Sequence, residues 1–189
     1  MVLPVLSRVL RPVTGFAERT TPGTRTDWQT PEHVLERVRR VAPIGLDPCT
    51  THANPTGARA WWYLDGPFPL DGLASGWSTE KSGHLVYCNP PYGRGIGAWM
   101  DKCHEAAVAG VTVIALVPAR TDTRWFPWTA DAICFWRGRL TFRDAPAPAM
   151  FPSAVVLWTW GRRGSRECFN RTRDSFCAAF GDAGKVISL

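Results

Sequence analysis

The chain has 189 residues and no run of about 18 consecutive apolar residues, so the sequence offers no membrane-spanning helix. Its opening MVLPVLSRVLRPVTG lacks a continuous apolar core and a small-residue cleavage site, and does not read as a secretory signal. The six cysteines, at 49, 88, 103, 134, 168 and 177, form no C-x-x-C pair. No Cys/His set has the spacing of zinc ligands. The expectation is reduced, mostly buried thiols, a cytoplasmic location and no bound metal. No G-x-G-x-x-G is present, so a generic dinucleotide site gains no support. Internal repeats are missing too.

Lysine is absent between Arg120 and Arg173. Ten arginines stand there against four acids (Asp122, Asp131, Asp144, Glu167), so a net +6 falls in that segment. Such a concentration suits a polyanion partner, and equally a solvated face.

Residues 1–27 mix Pro, Gly, Thr and Arg without periodicity and read as a flexible N-terminal arm. Residues 28–189 read as one domain. Thr30 is placed as a helix N-cap, Pro31 at the first helical position, and Glu32 in the first turn. Val34, Leu35, Val38 and Val41 follow at helical spacing, and Pro43 ends the helix. IGLDP (44–48) reads as a short strand ending in an acid, and 49–84 as irregular. HLVYC (84–88) is a buried strand, 97–109 a helix, and 111–119 a strand. A short helix is expected over 122–129, strands over 131–136 and 154–160, a turn or hairpin between those two, and a final helix over 167–180. Alternation of this kind predicts an α/β fold with a mostly parallel sheet and helices on both faces.

The most informative stretch is YCNPPYGRG (87–95). Two consecutive prolines cannot continue a strand or a helix, and each stiffens the residue before it. The turn presents the Asn89 side-chain oxygen and the Pro90 carbonyl, two acceptors beyond a strand's carboxyl end. That is where ligands bind in open α/β sheets. Tyr92 adds a flat face for a ring. Together they suit a planar amine such as an adenine edge. Cys88 alternates away from Asn89 on a regular strand, so no cysteine nucleophile is evident.

The stretch NPPY resembles the catalytic tetrad of amino-group methyltransferases that use S-adenosylmethionine. Seven segments are similar, in order, to the bacteriophage DNA adenine-N6 methyltransferase (Dam) family: DWQTPEHVLERV, LDPCTTHAN, DGLASGW, VYCNPPYGRGIGAWMDKC, VPARTDTRWF, RGRLTF and MFPSAVVLW. They cover residues 27–160. The resemblance implies a Rossmann-like methyltransferase fold, S-adenosylmethionine as cofactor, a flipped adenine in DNA as substrate, and the cytoplasm of a bacterial or phage-infected cell.

The resemblance also implies roles. Asn89, Pro90, Pro91 and Tyr92 are the catalytic tetrad. Trp28, Thr30 and Pro31 lie at the cofactor, with Thr30 near its carboxylate, where a helix N-terminus favours an anion. Asp47, followed by Pro48, would hold the cofactor's ammonium. Asp65 would reach its ribose and Asp71 its adenine amino group, with Asn89 completing the site. DPCTTHANPTG stands where most methyltransferases carry a Gly-rich loop, a departure this family shares. On the DNA side, Phe151 would face the base opposite Tyr92. Arg120, Thr121, Thr123, Arg124 and Trp125 follow a strand end and would meet backbone or flanking bases. Arg137 and Arg139 are phosphate candidates. Most tryptophans, Trp99 and Trp158 among them, are assigned to the core.

Three rival readings stay open at this level. The same tetrad serves methylation of protein glutamine and of cytosine-N4, because each substrate offers an NH₂. The third is a catalytically inert DNA-binding protein. A target sequence is not legible, nor is a preference for single or double strands, nor the oligomeric state.

Overall fold

The computed structural model describes residues 28–64, 69–79, 83–159 and 166–189. The expected arm over 1–27 lies outside the described residues, as does Asp65. Three helices are described: α1 (Glu32–Val41), α2 (Ile96–Val108) and α3 (Arg166–Phe180). The strands are β1 (Ile44–Asp47), β2 (Ala60–Trp61), β3 (Leu85–Cys88), β4 (Val113–Pro118), β5 (Ala132–Trp136), β6 (Ser153–Trp158) and β7 (Gly184–Ser188).

They form one seven-stranded sheet in the order β2-β1-β3-β4-β6-β5-β7. Three neighbouring pairs are parallel, β2 with β1, β1 with β3, and β3 with β4. Three are antiparallel, β4 with β6, β6 with β5, and β5 with β7. The sheet is therefore mixed, which corrects the expectation of a mostly parallel one. The cause is β6, which enters against the common direction between β4 and β5, and β7, which runs the same reversed way at the edge beside β5. Five strands, β1 to β5, still point one way, so their carboxyl ends share one edge.

Both faces are covered, as an α/β sheet with buried strands requires. In β3, Leu85 and Tyr87 pack with Val34, Leu35 and Val38 of α1 and Phe176 and Phe180 of α3. Val86 and Cys88 point to the opposite layer, with Met100, Cys103 and Ala107 of α2. Trp158 is core, as expected.

Several local readings change. Pro31, not Thr30, is the N-cap of α1. Its extended ψ of 147° places its carbonyl to receive the Val34 and Leu35 N–H groups, and no side chain caps the helix. The helix expected over 122–129 is a series of tight turns, with Thr123 N–H on Arg120 C=O and Phe126 N–H on Thr123 C=O. Pro127, lacking an N–H, cannot continue a helix there. Strands β2 and β7 escape sequence reading, since β2 is two residues long and β7 is an edge with little alternation. The segment between β5 and β6 is a folded-back loop rather than a hairpin of two strands, held by Ala149 N–H on Leu140 C=O.

Candidate active site

Most of the singled-out residues lie where the common strand direction ends. Along that edge come Asp47 at the end of β1, Asn89 after β3, Arg120 after β4, Phe151 before the opposed strand β6, and Arg137 after β5. One half of the edge is a cavity and the other half is aromatic and basic.

The cavity has a volume of about 330 Å³. Its walls include Trp28, Thr30, Asp47, Pro48, Asp71 and Asn89, all expected there, and Pro91. Sequence reading missed Trp62 and Tyr63, and left Trp99 to the core. Trp99 lies 6.2 Å from Trp77 and lines the cavity as well, so its ring serves both. Pro31 stays behind at the helix start, outside the lining.

Asp47 is 2% exposed. Burial pushes its carboxyl up to about 6, and hydrogen bonds from Cys49 N–H and from Thr56 and Thr50 oppose that shift. A buried carboxylate without a cationic partner is costly, so the site favours a positive group. Opposite it, Asp71 reaches the cavity because Gly72 sits against Pro48. A Cβ at Gly72 would lie 2.0 Å from the Pro48 carbonyl oxygen. Only glycine permits that approach. Asp71 Oδ1 accepts the Leu73 N–H at 2.8 Å, and Trp77 Nε1 donates to Gly72 C=O at 2.8 Å, which fixes the loop.

Thr30 is buried, and its hydroxyl lies 2.7 Å from the Tyr87 hydroxyl. Burial pushes the Tyr87 phenol well above its ordinary value, so it stays protonated.

The Asn89 Nδ2 donates to the Trp28 main-chain carbonyl. Its Oδ1 is buried and has no hydrogen-bond partner. Among the described residues, no hydrogen bond engages the Pro90 carbonyl either. A buried acceptor left unmade costs about 1–3 kcal/mol, so an orphan here points to a ligand N–H.

Tyr92 is nearly buried and donates to the Leu116 carbonyl at 3.2 Å. Its ring meets Phe151 at 5.5 Å and 79°, and Phe142 at 6.0 Å and 78°. Trp28 closes the group, 5.2 Å from Phe142 and 5.8 Å from Phe151. Phe142 and this second role of Trp28 are absent from the sequence reading. Tyr92 and Phe151 touch edge to face, and no base fits between them in this arrangement.

Arg120, Arg124, Arg137 and Arg139 are exposed and make no ion pair among the described residues. Arg143, Arg171 and Arg173, by contrast, pair with Glu32, Glu167 and Asp174. Among the described residues the basic segment thus divides into cations already partnered and others that are not, these four on the strand-end edge among them. Thr121 is exposed, whereas Thr123 donates to Arg120 C=O at 2.7 Å and braces the turn. Trp125 is half-buried, with its ring 6.2 Å from Phe126. Both look inward more than the sequence implied. All six cysteines are free; Cys49, in the cavity wall, lies 3.6 Å from Cys88, and burial pushes both thiols up.

Residues 18–154 match the family of DNA N-6-adenine-methyltransferases (Dam). The chain belongs to this family. It is an adenine-specific DNA methyltransferase, and the protein-glutamine and cytosine-N4 alternatives fall away with the inert one. Membership implies S-adenosylmethionine as methyl source and DNA as substrate. The matched residues include the tetrad, the cavity walls and the residues singled out on the DNA side, from Arg120 to Phe151. No curated protein matches the chain. No helix among the described residues is long and apolar enough to cross a membrane.

Proposed function

We propose that residues 28–189 act as a single methyltransferase domain of Rossmann-like type, with the cofactor in the Asp47 cavity and the adenine amine on Asn89 and Pro90. One observation carries this reading: the Asn89 Oδ1 is a buried acceptor with no partner, beside a cavity that ends in a buried acid.

The residues present fit S-adenosylmethionine. Asp47 offers a buried carboxylate to an ammonium, and the neutral Tyr87 phenol can donate to Thr30, freeing the Thr30 proton for a carboxylate. Trp62, Tyr63 and Trp99 supply flat apolar wall, and Asp71 an acceptor for an exocyclic amine. When bound, the cofactor supplies an electrophilic sulfonium methyl.

The chain's own part is to prepare the amine. Adenine's amino lone pair is delocalised into its ring, which makes it a poor nucleophile. Hydrogen bonds from its two N–H groups to Asn89 Oδ1 and Pro90 C=O favour a more tetrahedral, electron-rich nitrogen. The acceptors are held before the substrate arrives, by the Asn89 bond to Trp28 and by two prolines, so little reorganisation remains. Tyr92 gives the base a stacking face and is pinned by Leu116, so admission of the base moves the half-buried Phe151. Arg120, Arg124, Arg137 and Arg139 take phosphates.

Incubation with methyl-labelled S-adenosylmethionine and mixed DNA, followed by nucleoside mass analysis, tests the reading. Label is expected on N6-methyladenine, and Asn89→Ala and Tyr92→Ala should both lose it. Full activity in Asn89→Ala would refute the site assignment.

A further inference from the structure

Met150 is the most exposed large apolar side chain among the described residues, at 97%. It stands on a braced support. Its predecessor Ala149 is buried and gives its N–H to Leu140 C=O at 2.8 Å. Two residues on, the Pro152 carbonyl accepts the Ala119 N–H at 2.8 Å. Its successor Phe151 packs edge to face on Tyr92. A fully solvated apolar side chain gains nothing for the fold, and the backbone on both sides of it is held, at Ala149 and at Pro152. The same two backbone bonds bring its segment against Leu140 and Ala119, each a chain neighbour of an arginine. Arg139 is next to Leu140, and Arg120 is next to Ala119. Both arginines are exposed and without an ion pair among the described residues.

We propose that Met150 is a wedge that enters the DNA duplex and fills the space left by the target adenine. Proteins that distort duplexes insert apolar side chains, Met among them, between base steps, and cationic neighbours hold the backbone there. An enzyme that acts on a base in a duplex must first take it out of the stack. Met150 is placed for this work: it adjoins the ring that the base displaces, and its backbone is anchored at Ala149 and Pro152, so the Phe151 side chain can move without it. The inference rests on the reading of Tyr92 and Phe151 as the base pocket. It makes Met150 a positioning residue for the known reaction, needed for duplex DNA and idle where the base is already free.

The test compares Met150→Ala, Met150→Leu and Met150→Gln on three substrates. These are a matched duplex containing a site the wild type methylates, the same duplex with the target adenine opposite an abasic site, and the single strand. The Ala and Gln variants should lose about 10-fold or more in rate on the matched duplex, and keep wild-type rates on the other two. Leu should restore the duplex rate, since an apolar wedge is what is needed. With 2-aminopurine at the target position, the fluorescence rise on binding should shrink in Met150→Ala. Thermal melting should not change in any variant. Undiminished duplex activity in Met150→Ala, equal losses on all three substrates, or a wild type that ignores duplex DNA would overturn the proposal. Tyr92→Ala separates it from the pocket reading: that variant should fail on all three substrates, and if it does not, the pocket is wrong while a duplex-specific Met150 defect still stands.

Discussion

The side-chain NH₂ of Asn89 is hydrogen-bonded to the main-chain carbonyl of Trp28. An asparagine amide has one acceptor and one donor end, and rotation by half a turn exchanges them. Binding the NH₂ to a carbonyl settles the rotation and reserves the oxygen as acceptor. The segment just before α1 thus orients the catalytic turn after β3.

Removing that oxygen should stop the chemistry without unfolding the protein. Asn89→Ala should lower the single-turnover methylation rate by roughly 10²–10³, the range for loss of one preorganised hydrogen bond to a transition state. Asn89→Asp also fails to repair it, because a carboxylate cannot donate to Trp28 C=O and is repelled by it. Single-turnover assays at saturating cofactor and DNA check this; a wild-type rate in either variant contradicts it.

Asp47 should give opposite pH signatures in folding and in binding. Its folded value of about 6 lies above its ordinary 3.8, so the fold prefers the neutral acid. Its contribution to stability is complete below about 4 and is lost as pH rises through about 6. A cofactor ammonium selects the carboxylate instead. Cofactor affinity should therefore weaken as pH falls through about 6 and level off above it. In Asp47→Asn both dependences should vanish and affinity should stay low throughout. Calorimetry from pH 5 to 8 checks this, and a wild-type affinity independent of pH would contradict it.

Gly72→Ala tests how the two acids come to share one cavity. The added Cβ meets backbone at Pro48, which cannot rotate aside. The Asp71 loop should shift, with a stability loss of about 1–3 kcal/mol and weaker cofactor binding. Retained melting temperature together with retained affinity would show that the approach is looser than described.

The unpartnered arginines should govern salt sensitivity. Arg120→Ala and Arg139→Ala should each flatten the log–log dependence of duplex affinity on salt by about 0.9, the slope of one phosphate contact. Arg143→Ala is the control, since Arg143 already pairs with Glu32 at 3.0 Å, and should leave the slope unchanged. Fluorescence anisotropy across a salt series checks this, and equal slopes in all three variants would reduce the arginines to a solvated face.

Much of this was legible in residues near one another in the chain. Helical spacing of Val34, Leu35 and Val38 fixed α1, and the apolar runs fixed β3, β4 and β6. Pro90 and Pro91 stiffen their own turn, and Asp47 ends its own strand. Such signals act over a few residues and need no partner. What lay beyond reach depends on elements far apart in sequence. The rotation of the Asn89 amide rests on Trp28, 61 residues away. The Asp71 loop depends on a close approach to Pro48. The closed contact of Tyr92 with Phe151, and the bracing of the Met150 segment on Leu140 and Ala119, follow from β6 entering between β4 and β5. β2 and β7 exist only as edges of a finished sheet. Local sterics and hydrophobic period choose the elements. Which of them become neighbours is decided by burying the whole sheet between its helices, and that no single stretch contains.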